Sequence, residues 1–138
     1  MKKTLFLDDI GLPEIKVLAI NSHAKAYKLC WNINKELKLN FQKSEYKEIT
    51  TQQKFLQYKH YNNDEVEYNI IANRSQRGYF IPDQKGVNYF LIINKKKTEY
   101  QKKEIIEKLR GNKEILYVSE IEIKESTYIE RFINDTKN

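Results

Sequence analysis

The amino-acid sequence predicts an α+β fold: a two-layer sandwich of a mostly antiparallel sheet with two helices on one face, loosely ferredoxin-like. Three observations carry that prediction. A run apolar on both faces, Val87 to Ile93, reads as a central strand. Two stretches with helical spacing, His23 to Leu37 and Glu99 to Arg110, lie far apart in the chain. Between them sit alternating runs joined by turn residues, the pattern of antiparallel hairpins.

Taken in order, the chain opens on an amphipathic lead with Leu5, Leu7, Ile10 and Leu12, closed by Pro13. Ile15 to Ile20 reads as a strand, and Asn21-Ser22 offers a helix N-cap. Ala26, Leu29, Cys30, Ile33 and Leu37 then fall on one helical face. The opposite face carries Lys25, Lys28, Asn32 and Lys35, which fits either a solvated surface or a phosphate-contacting ridge. Leu39 and Phe41 suggest a short strand, followed by a polar connection over 43–52. Lys54–Tyr61 and Val66–Asn73 should pair as a hairpin across Asn62-Asn63-Asp64-Glu65. Residues 73–79 form a polar loop containing Arg74 and Arg77.

Pro82 and Gly86 bound the next loop, Gly86 because it tolerates backbone angles closed to other residues. Thr98 and Gln101 match a capping box, and Gly111 suits the C′ position of the second helix. Ile115–Ile123 alternates like an antiparallel or edge strand. Tyr128, Ile129, Phe132 and Ile133 form an amphipathic stripe that docks either on its own domain or on a partner. The expected organisation is one domain over 1–124 and a tail or short helix over 125–138.

The 138 residues are 40% hydrophobic and 32% charged, enough for one core without disulfide or metal staples. The single cysteine, Cys30, lies on the apolar helical stripe and implies a packing role in a reducing compartment. No apolar run approaches the roughly 20 residues that cross a bilayer, and the first residues lack signal-peptide form, so a cytoplasmic location is expected.

Net charge is +6, distributed unevenly. Residues 94–113 hold 8 Lys/Arg against 3 Asp/Glu, whereas residues 114–138 hold 3 against 6. A basic middle and an acidic end fit a face that meets a polyanion, although a lysine-rich codon usage accounts for part of the excess.

No metal site, cofactor or catalytic constellation is expected. His23 and His60 are the only histidines and have no ligand spacing. Phosphate-binding glycine loops and nucleophile elbows are missing from the sequence, and Asp8-Asp9 and Asp64-Glu65 read as solvated neighbours. His60 acts as a base only where a carboxylate orients it. What remains is electrostatics with aromatics, and the central strand lacks the aromatic signature of a base-stacking sheet.

The segment Ile81-Pro82-Asp83-Gln84-Lys85-Gly86-Val87-Asn88-Tyr89 resembles the motif that names the IPExxxVDY family of small bacterial proteins. Asp83 stands where that motif has Glu and Asn88 where it has Asp. The second change removes a charge and a base but keeps a hydrogen-bonding side chain. Tyr27-Lys28-Leu29, Asn34-Lys35-Glu36-Leu37 and Ile71-Ala72-Asn73 extend the resemblance over most of the chain. It implies a lineage-specific accessory protein of the large ribosomal subunit, hence ribosomal RNA and neighbouring ribosomal proteins as partners, and brings no established enzymatic activity; from the residues themselves, no enzyme, small-molecule substrate or membrane partner is expected. It carries over no binding residues. On charge alone, the candidate RNA contacts are Lys95, Lys96, Lys97, Lys102, Lys103, Arg74, Arg77, Lys25 and Lys28. The alternative is a protein-binding adaptor acting through Tyr128, Ile129, Phe132 and Ile133.

Overall fold

The structure, a computed structural model, describes residues 15–94, 98–123 and 126–133, with the side chains of residues 98–101 excepted. The amphipathic lead, Lys95, Lys96, Lys97, the capping-box side chains and the last five residues therefore lie outside what is described. The chain forms α+β structure around a six-stranded, wholly antiparallel sheet. Its order is β10-β1-β9-β6-β5-β2, from β10 (Tyr117–Ile121) through β1 (Lys16–Asn21), β9 (Tyr89–Ile93), β6 (Glu65–Ala72) and β5 (Gln57–Asn62) to β2 (Gln42–Lys43).

The strand expected to be central is central. All five residues of β9 are buried, and Leu91 faces Leu18 of β1 on one side and Ile70 of β6 on the other. Its double-sided apolar pattern divides between two cores, because successive side chains of a strand point to opposite faces. Leu91 and Ile93 join Leu18, Ile20, Ile70 and Val118 beneath α1 (Ala26–Leu37) and α2 (Thr98–Arg110), which contribute Leu29, Cys30, Ile33, Ile105 and Leu109. Phe90 and Ile92 join Val17, Phe55, Phe80, Ile81 and Phe132 on the other face. There the rings of Phe80, Phe90 and Phe132 meet edge-to-face, with centroids 5.4 to 6.1 Å apart. The C-terminal stripe thus docks on its own domain: α3 (Ile129–Phe132) buries Ile129 and Phe132, and the Arg131 guanidinium donates to the Phe80 carbonyl at 2.6 Å.

Local chemistry explains the boundaries. The Ser22 hydroxyl accepts from the Ala24 amide, so a side-chain turn precedes α1, which begins at Ala26 and not at His23. Lys38 closes α1 in the left-handed region, at φ 57°. Asn63 and Asp64, at φ 53° and 69°, make the two-residue primed turn that joins β5 to β6.

Three expectations change. Residues 53–55 do not extend the β5 strand; β4 (Gln53–Phe55) pairs with β3 (Lys47–Thr50), so the supposed polar connection over 43–52 contains half of a second hairpin. The Thr50 hydroxyl accepts from the Gln52 and Gln53 amides and turns the chain there, delivering Phe55 to the second core. The polar loop over 73–79 holds a minimal hairpin, β7 (Arg74–Ser75) with β8 (Gly78–Tyr79). Gly86 and Gly111 adopt no positive φ; among the described glycines only Gly78 does, at 131°. The loop over 82–86 contains a single 3-10 turn, Pro82–Gln84.

Candidate nucleic-acid interface

The segment 80–89 is held by two asparagines and a serine. Asn73, fully buried at the end of β6, donates through its side-chain amide to the carbonyls of Gln84 (2.8 Å) and Val87 (2.9 Å) and accepts from the Ile81 amide (2.8 Å). Its backbone adds bonds to the Asn88 carbonyl and the Phe80 amide. Every polar group of Asn73 is therefore used on the segment it anchors. The Asn88 side-chain oxygen accepts from the Ser22 amide at 2.8 Å, Asn21 donates to the Gly86 carbonyl at 3.0 Å, and the Tyr89 hydroxyl donates to the Ala24 carbonyl at 2.7 Å. Burial pushes the Tyr89 phenol up to about 12, so it remains a neutral donor. The motif is thus a structural clasp between β6 and the β1–α1 junction. Either an amide or a carboxylate at 88 can accept from Ser22.

Two clefts flank this clasp. The first, of about 600 Å³, is lined by Ala19, Asn21, Val87, Ser119 and the carboxylates Asp83, Glu120 and Glu122. The second, of about 670 Å³, lies where the start of α1, the ends of β6 and β9, β2 and β8 converge. Its walls carry Lys25, Lys43, Arg74 and Lys85 and no carboxylate, together with Tyr27, Tyr58, Tyr79 and Tyr89. Lys85 Nζ lies 5.6 Å and Arg74 Cζ 5.9 Å from the Tyr79 ring centroid, so two cations share one aromatic ring. None of the four cations has a carboxylate partner among the described residues. Four cations without a carboxylate partner, beside tyrosine rings, make this cleft electropositive.

Of the residues expected to meet RNA, Lys25 and Arg74 come together in this cleft. Lys102 is a correction: it is buried under the edge strand, with its ammonium 2.8 Å from a Glu120 oxygen, so it is a structural ion pair and not a surface contact. Lys28 lies 3.5 Å from Glu114, so one of the three lysines of the expected ridge already has a carboxylate partner. Lys103 is exposed on α2, and Arg77 sits at the β7–β8 turn, donating to Gln52 at 3.4 Å; neither lines the cleft. Lys43, Lys85 and Tyr79 were not singled out by charge runs, because each is a lone member of its segment. The wide spacing of 25, 43, 74 and 85 becomes one site only through sheet register.

The remaining candidates for chemistry have structural partners. His60 Nδ1 accepts from the Asn40 amide at 2.9 Å, Nε2 lies 3.6 Å from Glu67, and the ring packs against both Phe41 and Tyr68, which also meet each other. An orienting carboxylate is therefore present, but the opposite nitrogen already serves the backbone. Cys30 is buried, and burial pushes its thiol up to about 12, away from nucleophilic or redox reactivity. Among the described residues no group of three or more His, Cys, Asp or Glu is placed to hold a metal, and no helix is long and apolar enough to cross a membrane. The buried Ile129 and Phe132 leave the C-terminal stripe facing its own core.

The chain gives no significant match to any protein-family model, curated protein or solved structure.

Proposed function

We propose that this chain is a non-enzymatic RNA-binding protein of the bacterial cytoplasm that grips the phosphate backbone in the cleft beside the 80–89 clasp. The observation that carries the proposal is that cleft's lining: four cations from four separate segments, no carboxylate, and tyrosine faces between them. Phosphate contacts of this kind supply affinity without demanding a base sequence. The resemblance of residues 81–89 to the IPExxxVDY motif favours ribosomal RNA of the large subunit as the particular ligand, with the protein as an accessory component.

A ferredoxin-like core belongs to the same proposal. The strand order β10-β1-β9-β6, with α1 after β1 and α2 after β9, supports a βαββαβ core into which β2 to β5 are inserted between α1 and β6.

Sedimentation of the tagged protein through sucrose gradients tests the assignment. Co-migration with large subunits at low salt, weakened as salt rises and lost in Arg74→Glu/Lys85→Glu, is the expected result. Protein confined to the top of the gradient at low salt would reject the ribosomal assignment.

A further inference from the structure

We infer that the outer face of α1 is a base-stacking ridge, so that the ligand is an unpaired stretch of RNA and not a duplex; the inference rests on the RNA-binding proposal above. Tyr27 and Trp31 are 67% and 58% exposed, an unusual outlay of large aromatic surface on a 12-residue helix whose other face is fully packed. They stand at i and i+4, hence side by side on the same face. Tyr27 also lines the basic cleft, so the ridge continues directly from its mouth.

One turn further on, Lys35 places its ammonium 4.5 Å from the Trp31 ring centroid. The ring is thus open to a cation from within the chain, and a base arriving on it would exchange that contact and leave Lys35 beside a phosphate. Charge favours the same occupant. Of the six lysines in residues 15–44, Lys16 and Lys28 approach Glu120 and Glu114, whereas Lys25, Lys35, Lys38 and Lys43 have no carboxylate partner among the described residues; the segment's single carboxylate, Glu36, accepts from Asn112 at 3.0 Å.

Spacing then separates unpaired from paired RNA. Four helical residues advance about 6 Å along the axis. A B-form DNA strand rises about 3.4 Å per stacked base, and the bases of an A-form RNA duplex are no further apart. Neighbouring rings on the ridge therefore receive bases splayed apart, while Lys25, Lys43, Arg74 and Lys85 hold the backbone.

Trp31 is the only tryptophan, which makes the test direct. The whole protein is titrated with a short oligouridylate and, at equal salt, with heparin, a polyanion without bases. The oligouridylate should quench Trp31 emission, and heparin should bind without quenching. By anisotropy of labelled RNA, Trp31→Ala and Tyr27→Ala should each weaken the oligouridylate about tenfold, and Trp31→Ala, outside the cleft wall, should leave heparin binding and the melting curve unchanged.

If both ligands leave the emission unchanged and Trp31→Ala stays within twofold of wild type, stacking is overturned. The RNA proposal survives that outcome if Arg74→Glu/Lys85→Glu still weakens both ligands, and fails with it if those substitutions do nothing. Equal affinity for a duplex, or loss of a co-purifying protein in Trp31→Ala with RNA binding intact, would also overturn the inference.

Discussion

The two clefts on either side of the 80–89 clasp are nearly equal in volume and share Val87 in their walls, yet one presents three carboxylates and no cation and the other four cations and no carboxylate. They differ further in what their charges already touch. Glu120 of the acidic cleft is held by Lys102 at 2.8 Å and approached by Lys16 at 3.8 Å, whereas the cations of the basic cleft have no carboxylate among the described residues, and Lys43, Arg74 and Lys85 lie over tyrosine rings. The count of lysines in a segment therefore says little about where an anion binds. What matters is which lysines the fold leaves without a carboxylate, because a charge already paired gives up that partner before it serves another.

The largest expected effect comes from removing what both clefts hang on. Asn73→Ala strands two carbonyls and one amide of the clasp, at about 1–3 kcal/mol for each buried group left without a partner. Urea denaturation should show a loss of at least about 3 kcal/mol, and RNA affinity should fall with it. A loss below about 1 kcal/mol would mean that the clasp does not depend on this side chain.

A pair of substitutions sharpens the contrast itself. Lys102→Met should cost about 1–2 kcal/mol of stability, less than a fully buried pair, because Glu120 keeps 28% side-chain exposure and Lys16 nearby. RNA affinity should stay unchanged. Lys85→Glu should do the reverse, lowering affinity about tenfold with stability within about 0.5 kcal/mol of wild type. If Lys102→Met weakened RNA binding in the folded protein, the division between paired and unpaired lysines would be broken.

Smaller effects follow at the motif. Asn88→Asp keeps an acceptor for the Ser22 amide and introduces a charge beside four cations. Stability should hold or rise by up to about 1 kcal/mol, and RNA affinity should drop a few-fold, as measured by thermal melts and anisotropy. Gly86→Ala should be the mildest change. A Cβ there meets nothing within 4 Å and the backbone has no positive φ, so a gain of about 0.4–1 kcal/mol is expected from the less flexible unfolded chain.

Much of the scaffold was legible in the residues, for a physical reason. The double-sided run of β9, the heptad-like spacing of Leu29, Cys30 and Ile33, and the Asn63-Asp64 turn are local signals, read over a few residues. The β3–β4 hairpin was not legible, because its burial rests on Phe55 and partly on Ile49, and its turn on the Thr50 hydroxyl. The role of Asn73 was hidden for a related reason: an asparagine at the head of a polar loop looks like loop, and only its register against residues 81, 84 and 87 turns it into an anchor. Lys102 misled because a lysine beside Lys103 on a basic helix gives no sign of facing Glu120 across the packing of α2 on β10. The site was half legible. Lys25 and Arg74 were within the expected set, but Lys43 and Lys85 join them only when β2 and the 80–89 clasp are folded against α1.

The most direct test of the central claim is the salt dependence of RNA affinity. If Lys25, Lys43, Arg74 and Lys85 each neutralise one phosphate of a single strand, their joint replacement by glutamine should flatten the slope of log K against log salt by about 3. The same number of substitutions among exposed lysines outside the cleft, such as Lys103 and Lys108, should leave the slope close to wild type. A slope unchanged by removing the four cleft cations would contradict the account, because the phosphates would then be held elsewhere on the molecule.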